Sequence, residues 1–267
     1  MQVRAAGTLG TFDDGGHYTS IYAGNPADPY RENDFEEDVF GAFRVARQGQ
    51  IALLVPVVQT YRHASGDTEL GGGLGDLNLS LRYDFLLAGQ SRVIPGVAAL
   101  AGITAPTGTP ADAQIPSHPL GTDATGVGAW QGNAGVALEQ IYGPWLFSVT
   151  ELLAWRASRS ADIGGVAENE SLAPQWVTLA GVAYTFSNDA SVALFGSYTL
   201  EATATLNGAP APSSAKRIAL ITLSGVYPIT DRFRLRASVF VNPPLDGLGQ
   251  NQTATVGLTL GTLWGWS

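Results

Sequence analysis

The chain has 267 residues, of which 45% are hydrophobic and only 14% charged, with 33 glycines, no cysteine and a formal net charge of −9. A charged fraction well under the ~25% usual for soluble domains, together with a negative balance, excludes a nucleic-acid binder, which needs a basic exposed face. No apolar run approaches the ~18 residues of a membrane-crossing helix, and no thiol is present to form a disulfide or a thiolate metal site.

Residues 1–16 are expected to form a separate N-terminal segment, a periplasmic piece or a lumen plug, ahead of a β-barrel over 17–267. The start, Met-Gln-Val-Arg-Ala-Ala-Gly, has no basic stretch followed by an apolar one. An export signal is therefore expected to have been removed before this numbering begins. A first strand is expected near 17–24. From there tight connections alternate with long ones. The tight ones are Gln48-Gly49-Gln50, Ala88-Gly89-Gln90-Ser91, Ile141-Tyr142-Gly143, Ser187-Asn188-Asp189 and Pro228-Ile229-Thr230-Asp231. Their Gly, Asn, Asp and Ser residues supply the backbone angles of hairpin turns. The long ones are 25–35, 63–73, 106–126, 158–173, 204–215 and 243–252. About twelve strands result. The even number puts both ends on the short-turn side, as in an up-and-down outer-membrane barrel.

Within that frame, 51–58 is apolar on both faces and contains Pro56, which has no N–H for a ladder. Segment 74–85 alternates cleanly. Gly75, Leu77, Leu79, Leu81, Tyr83 and Phe85 share one face, and Asp76, Asn78, Ser80, Arg82 and Asp84 the other. In 127–140, Gln131, Asn133 and Glu139 oppose Trp130, Ala134, Val136 and Leu138. Segment 145–157 puts Glu151 in phase with Trp145, Phe147, Val149, Leu153 and Trp155. A lipid-facing carboxylate is costly, so a phase-shifting bulge is expected there. Segment 190–201 sends Val192, Leu194, Tyr198 and Leu200 outward and Ser191, Ser197, Thr199 and Glu201 inward. Segment 232–242 carries Arg232, Arg234 and Arg236 on one face, and 253–264 ends on Trp264. The arginines read equally as a basic ladder down a pore wall or as a solvated, carboxylate-paired face.

Aromatic residues gather at the strand ends. Tyr83, Phe85, Trp145, Phe147, Tyr184, Phe186, Tyr227, Phe233 and Trp264 lie near short turns, and Trp130, Trp155 and Trp176 near long loops. Two membrane-interface girdles are expected from them. The acids concentrate in the long loops, which implies either plain solubility or contact through divalent cations with lipopolysaccharide phosphates.

Catalytic and metal constellations are not found. His17, His63 and His118 are far apart in loops, with no metal-ligand spacing. Gly71-Gly72-Gly73-Leu74-Gly75 lacks the Lys-Ser/Thr and the helix of a phosphate-binding loop. No cofactor, metal or enzymatic activity is expected.

Three stretches resemble the outer-membrane transporter-like family of the MetA pathway of phenol degradation. They are Gly73-Leu74-Gly75-Asp76-Leu77 running into Leu81-Arg82-Tyr83-Asp84-Phe85, then Ala105-Pro106-Thr107-Gly108-Thr109-Pro110, and then 126–139 followed by Gly143-Pro144-Trp145. They cover the middle third to half of the chain. The resemblance implies a barrel and a channel for small molecules, and it carries no catalytic residues over. The end, Leu263-Trp264-Gly265-Trp266-Ser267, departs from the terminal aromatic common in such barrels.

The resulting expectation is an all-β, single up-and-down antiparallel transmembrane barrel in a bacterial outer membrane. It would pass small solutes passively, with a bias toward anions. Its lumen candidates are Asp76, Asn78, Arg82, Asp84, Gln131, Asn133, Glu139, Glu201, Arg232, Arg234 and Arg236, and its partners are lipid, lipopolysaccharide and solute. The alternative is a plugged barrel whose acidic loops hold a partner.

Overall fold

The computed structural model describes residues 2–7, 31–64, 67–112, 118–163, 165–243, 248–251 and 255–265. In chain order the strands are β1 (Gln2–Gly7), β2 (Arg31–Arg44), β3 (Gly49–Ala64), β4 (Asp67–Leu74), β5 (Leu77–Leu86), β6 (Gly96–Ala105), β7 (Gln131–Tyr142), β8 (Trp145–Arg156), β9 (Arg159–Ile163), β10 (Val166–Ser171), β11 (Gln175–Thr185), β12 (Ser191–Glu201), β13 (Thr205–Leu206), β14 (Ala209–Pro210), β15 (Lys216–Pro228), β16 (Phe233–Val241) and β17 (Thr255–Trp264). β4 and β5 are one wall strand interrupted by a bulge. The wall thus has twelve strands, and β9, β10, β13 and β14 form a small separate sheet. Every wall strand pairs antiparallel with two neighbours, and the ladder returns to its start through β17–β1, β1–β2 and β2–β3.

Which face is outside follows from exposure. Leu79, Leu81, Leu138, Phe147, Leu194, Leu223, Leu258 and Leu260 are each 43–54% exposed, whereas Ala98, Ala137, Ala154, Ser224 and Ser238 on the other face are 1–5% exposed. Large apolar side chains out and small ones in is the inverse of a soluble sandwich. An apolar belt of this extent needs lipid around it. Two hollows of about 760 and 550 Å³ lie on the strands from β8 to β17. One has Gly225, Leu235 and Ala237 among its lining residues, and the other has Val182, Tyr184 and Leu194.

The alternation of turns and loops is present with shifted boundaries. Gly143 has φ +58° in the two-residue turn before Trp145. Pro144 fixes its own φ near −65°, so the glycine must supply the left-handed first position. The first strand described is Gln2–Gly7, not 17–24. That places part of the expected N-terminal segment in the wall, and the rest of it, with 17–24, lies outside the described residues. Segment 63–73 is not a loop: β3 and β4 pair through it, Ala64 opposite Asp67. Segments 158–173 and 204–215 likewise fold back as the β9–β10 and β13–β14 hairpins.

The bulge expected near Glu151 is absent: β8 pairs without a shift with β7 and β11 on either side of it. One irregularity lies instead at Gly75-Asp76. There Val57 faces Leu74 while Leu54 faces Asn78, so one residue is extra. It sits beside Pro56, whose missing N–H breaks the ladder, and Gly75 donates its N–H to the Pro56 carbonyl at 2.8 Å.

Candidate functional site

Register assigns the inner wall. Ala52 and Ala98 are buried, so Gln50 on β3, Asn78, Ser80, Arg82 and Asp84 on β5, and Leu100 on β6 face the lumen with them. Continuing round the ring, Gln131, Asn133 and Glu139 on β7, Leu152 on β8 and Gln175 on β11 share that face. A lumen cavity of about 410 Å³ collects Asn78, Arg82, Gln131 and Asn133 with Gln50, Ser80, Gln175, Phe40, Leu100 and Leu152. Four of the expected lumen residues therefore converge on one space. Gln50, Gln175 and Phe40 were not singled out in the sequence. The signal was there, because each has the same parity as a small buried inner residue on its own strand or opposite it.

Arg82 does not stand alone. Its Nη1 and Nη2 each donate to a Glu139 oxygen at 2.8 Å, and its Nε donates to Asp84 at 2.9 Å. β6 lies between these strands, and the group reaches across it because its inner positions there are Gly96 and Ala98. The fork-to-carboxylate geometry is the strong form of ion pair. One positive and two negative groups leave the cluster at −1. Glu201 is likewise engaged. Arg156, which the sequence reading overlooked although it is out of phase with Trp155, pairs with it at 2.6 Å, and both side chains are about 5% exposed. Gln175 also donates to Glu201 at 2.9 Å. Arg232, Arg234 and Arg236 lie apart from these clusters, at the short-turn end. Arg234 and Arg236 are on the inner face with Ser238 and Phe240, and the three side chains make no ion pair among the described residues.

Glycines on the inner face set how far neighbouring side chains intrude. A Cβ on Gly257 would lie 2.0 Å from Phe240 Cζ, one on Gly181 2.2 Å from Phe195 Cδ1, and one on Gly102 2.9 Å from the Asn133 amide. Each larger side chain therefore lies flat on a glycine across the ladder and leaves the lumen open.

Asp76 is not a free lumen residue. Its two oxygens accept from Gly108 N at 2.9 Å and Val127 N at 2.7 Å, pinning both ends of loop 106–127. Thr107 donates to the Gly75 carbonyl at 2.6 Å and Thr125 to the Leu74 carbonyl at 2.7 Å. The glycine-aspartate and proline-threonine-glycine motifs are thus two halves of one clasp. The loop then turns inward. Glu69, on the lumen face of β4 opposite Arg62, accepts from Leu120 N at 2.7 Å and Thr122 N at 3.2 Å, and Arg62 donates to the Leu120 carbonyl. Gly71 has no room for a Cβ beside the fully buried Thr122. The loop narrows the outer mouth from one side.

Above it, Arg159 joins three pieces. It donates to Asp112 of the loop and pairs with Glu170 of β10 at 2.7 Å. Burial alone would raise the Asp112 pKa, but the Arg159 hydrogen bond and the Asp162 N–H together hold it below the usual carboxylate range.

On the outer wall, the expected girdle residues near the short turns adjoin one another. Trp145 and Tyr184 centroids are 4.9 Å apart, Tyr184 and Phe186 5.0 Å, Tyr83 and Phe85 5.1 Å, and Phe233 and Trp264 6.1 Å. Tyr227 and Phe147 are outward too, and Trp130, Trp155 and Trp176 are about half exposed toward the long loops. Glu151 is outward with them. It accepts from Trp176 Nε1 at 2.7 Å and Thr178 Oγ1 at 2.9 Å. Two donors, not a bulge, make the carboxylate tolerable.

Known structures share this architecture. An outer-membrane channel from Pseudomonas putida F1 matches with TM-score 0.70 and 14% identity, over 97% of this chain and 93% of that one. The fold is that of an outer-membrane β-barrel. The NanC porin matches with TM-score 0.50 and 10% identity over the whole of both chains. The translocator domain of the autotransporter NalP from Neisseria meningitidis matches with TM-score 0.51 and 13% identity, over 99% and 86%. No family model matches the chain, and no curated protein does. The outer-membrane barrel anticipated from the sequence is the architecture these structures share.

Proposed function

We propose that the protein is a passive outer-membrane channel for small solutes. The observation that carries this reading is a ring of lipid-facing wall strands around a cavity of about 410 Å³ into which Gln50, Asn78, Arg82, Gln131 and Asn133 bring polar groups. The solved channel and porin of like fold support it. Any anion preference rests on Arg232, Arg234 and Arg236 at the short-turn mouth, because Arg82 is offset by Glu139 and Asp84. Fixed charges set pore selectivity through their local field. The test is single-channel recording of refolded protein in a planar bilayer under a salt gradient. Discrete steps establish a pore, and Arg234→Glu is expected to move the reversal potential toward cations. Insertion without current defeats the reading.

A second reading, a plugged barrel that presents its outer loops to a partner or to lipopolysaccharide, is favoured by the inward-folded loop 106–127. It predicts no current from the intact chain and recovery of current when that loop is shortened.

A further inference from the structure

We infer that the lumen cavity is a binding step for a small uncharged polyhydroxylated solute, a monosaccharide or polyol, and not for an anion. The inference rests on the channel reading and adds the chemical class of what passes. A volume of about 410 Å³ lies near the small end of ligand pockets, roughly 300–1,000 Å³. It suits one such molecule and not a chain of them.

The lining chemistry selects the class. Gln50, Gln131 and Asn133 contribute carboxamides to the cavity and make no hydrogen bond with their side chains among the described residues. A carboxamide both donates and accepts, as a hydroxyl does, so hydroxyl and carboxamide can pair in either sense. A carboxylate or phosphate ligand can only accept. It would use the NH₂ half of each carboxamide and face the carbonyl half with repulsion. The cation that would compensate is already engaged, since Arg82 donates through all three of its side-chain nitrogens to Glu139 and Asp84. That cluster, at −1, repels a second anion. Phe40 faces the same space and is 57% exposed, offering a ring to the C–H face of a sugar, with Leu100 and Leu152 beside it. Asn133 is held in place by Gly102, where a Cβ would meet both amide heavy atoms at 2.9 Å.

The test measures direct binding to the folded full chain in detergent, by calorimetry or ligand-observed magnetic resonance, with D-glucose and D-glucuronate as probes. Glucose is expected to bind saturably, and glucuronate, which keeps the pyranose ring but carries a carboxylate in place of the C6 hydroxymethyl group, roughly tenfold or more weakly. The variant Gln131→Met with Asn133→Leu keeps side-chain size but removes two hydrogen-bonding partners, so its glucose affinity should fall roughly tenfold. Gly102→Ala, which displaces the Asn133 amide without removing it, should weaken binding less. Resistance to unfolding on a gel verifies that each variant is folded. No saturable glucose binding by folded wild type overturns the inference, and so does glucuronate binding as tightly as glucose. Bilayer current is recorded on the same preparation. Glucose binding without current would defeat the channel reading and leave the site standing, while current without glucose binding would do the reverse.

Discussion

Replacing Asp76 by alanine should release loop 106–127 from the wall. The side chain accepts two backbone N–H groups, from Gly108 at 2.9 Å and Val127 at 2.7 Å. Hydrogen bonds to a charged group contribute about 1.5–3 kcal/mol each. This one is half open to water, so the low end applies, and the pair contributes about 3 kcal/mol. The threonine bonds at Gly75 and Leu74 remain in the variant, so the loop loses its tightest hold but not its whole attachment. At about 1.4 kcal/mol per tenfold, the undocked population should rise by roughly two orders of magnitude. Amide hydrogen exchange reads this directly, because Gly108 and Val127 are the donors, and their protection should fall by about that factor while the amides of β7 keep theirs. Asp76→Asn keeps an acceptor for only one of the two N–H groups and presents an NH₂ to the other, so one amide should lose protection much as in the alanine variant while the other keeps part of its own. Unchanged protection at Gly108 and Val127 in the alanine variant would refute the clasp.

Other consequences follow from the same geometry. Glu139→Gln takes the Arg82 cluster from −1 to neutral, so the reversal potential should move toward anions. Stability should fall by only about 1 kcal/mol, because the pair is partly hydrated and Asp84 remains; a loss above about 3 kcal/mol would mean the pair is far drier than its exposure indicates. Gly257→Ala puts a Cβ where Phe240 lies, so the ring should swing into the lumen and lower conductance, and an unchanged conductance would show that Phe240 moves elsewhere. The Asp112 pKa is lowered in the folded protein, so its contribution is present above the ordinary carboxylate value of about 3.9 and is lost as pH falls through the lowered one. The outer hairpins should therefore keep their exchange protection from neutral pH down to about pH 4 and lose it only in stronger acid; loosening near pH 6 would point to a histidine instead. Trp176→Phe deprives the lipid-facing Glu151 of one donor and should cost about 1–3 kcal/mol in bilayer refolding. Glu151→Leu should be neutral or stabilising there, and a large loss would mean that the carboxylate has a partner on the lipid side.

Much of the wall was legible because a barrel strand separates lipid from lumen with period two, and β7, β12 and β17 pair without a register shift, as does β5 with β6 up to the shift between Asp84 and Leu86. Misreadings came where two-sided chemistry ends. Segment 63–73 looks like a loop because its glycines and polar residues do not alternate. Yet β3 and β4 pair there, and their inner face meets loop 106–127, not open water. Pro56 signalled an interrupted ladder, but the extra residue appears on the partner strand, which only pairing identifies. Glu151 drew an expectation of a bulge because its donors, Trp176 and Thr178, are 25 and 27 residues away and unreadable from local phase. Asn78, Arg82, Gln131, Asn133 and Glu139 share the face of the buried alanines, but which charges pair was not legible. Arg82 meets Glu139 only because Gly96 and Ala98 leave space on the strand between them.

The acidic loops acquire a physical reason in the same way. A barrel satisfies its wall backbone by strand pairing, but an inward-folded loop has no ladder to join, and its N–H groups need acceptors. Carboxylates fill that need: Glu69 for Leu120 and Thr122, Asp76 for Gly108 and Val127, Asp112 for Asp162, and Asp162 for Gly165. Glu170 instead anchors Arg159. Charge spent on backbone donors or on an arginine is not available to bridge divalent cations to lipopolysaccharide. Part of the net charge of −9 is therefore the means by which the outer mouth is shaped, and on the proposed channel reading only the few charges that pairing leaves over remain to act on a passing solute.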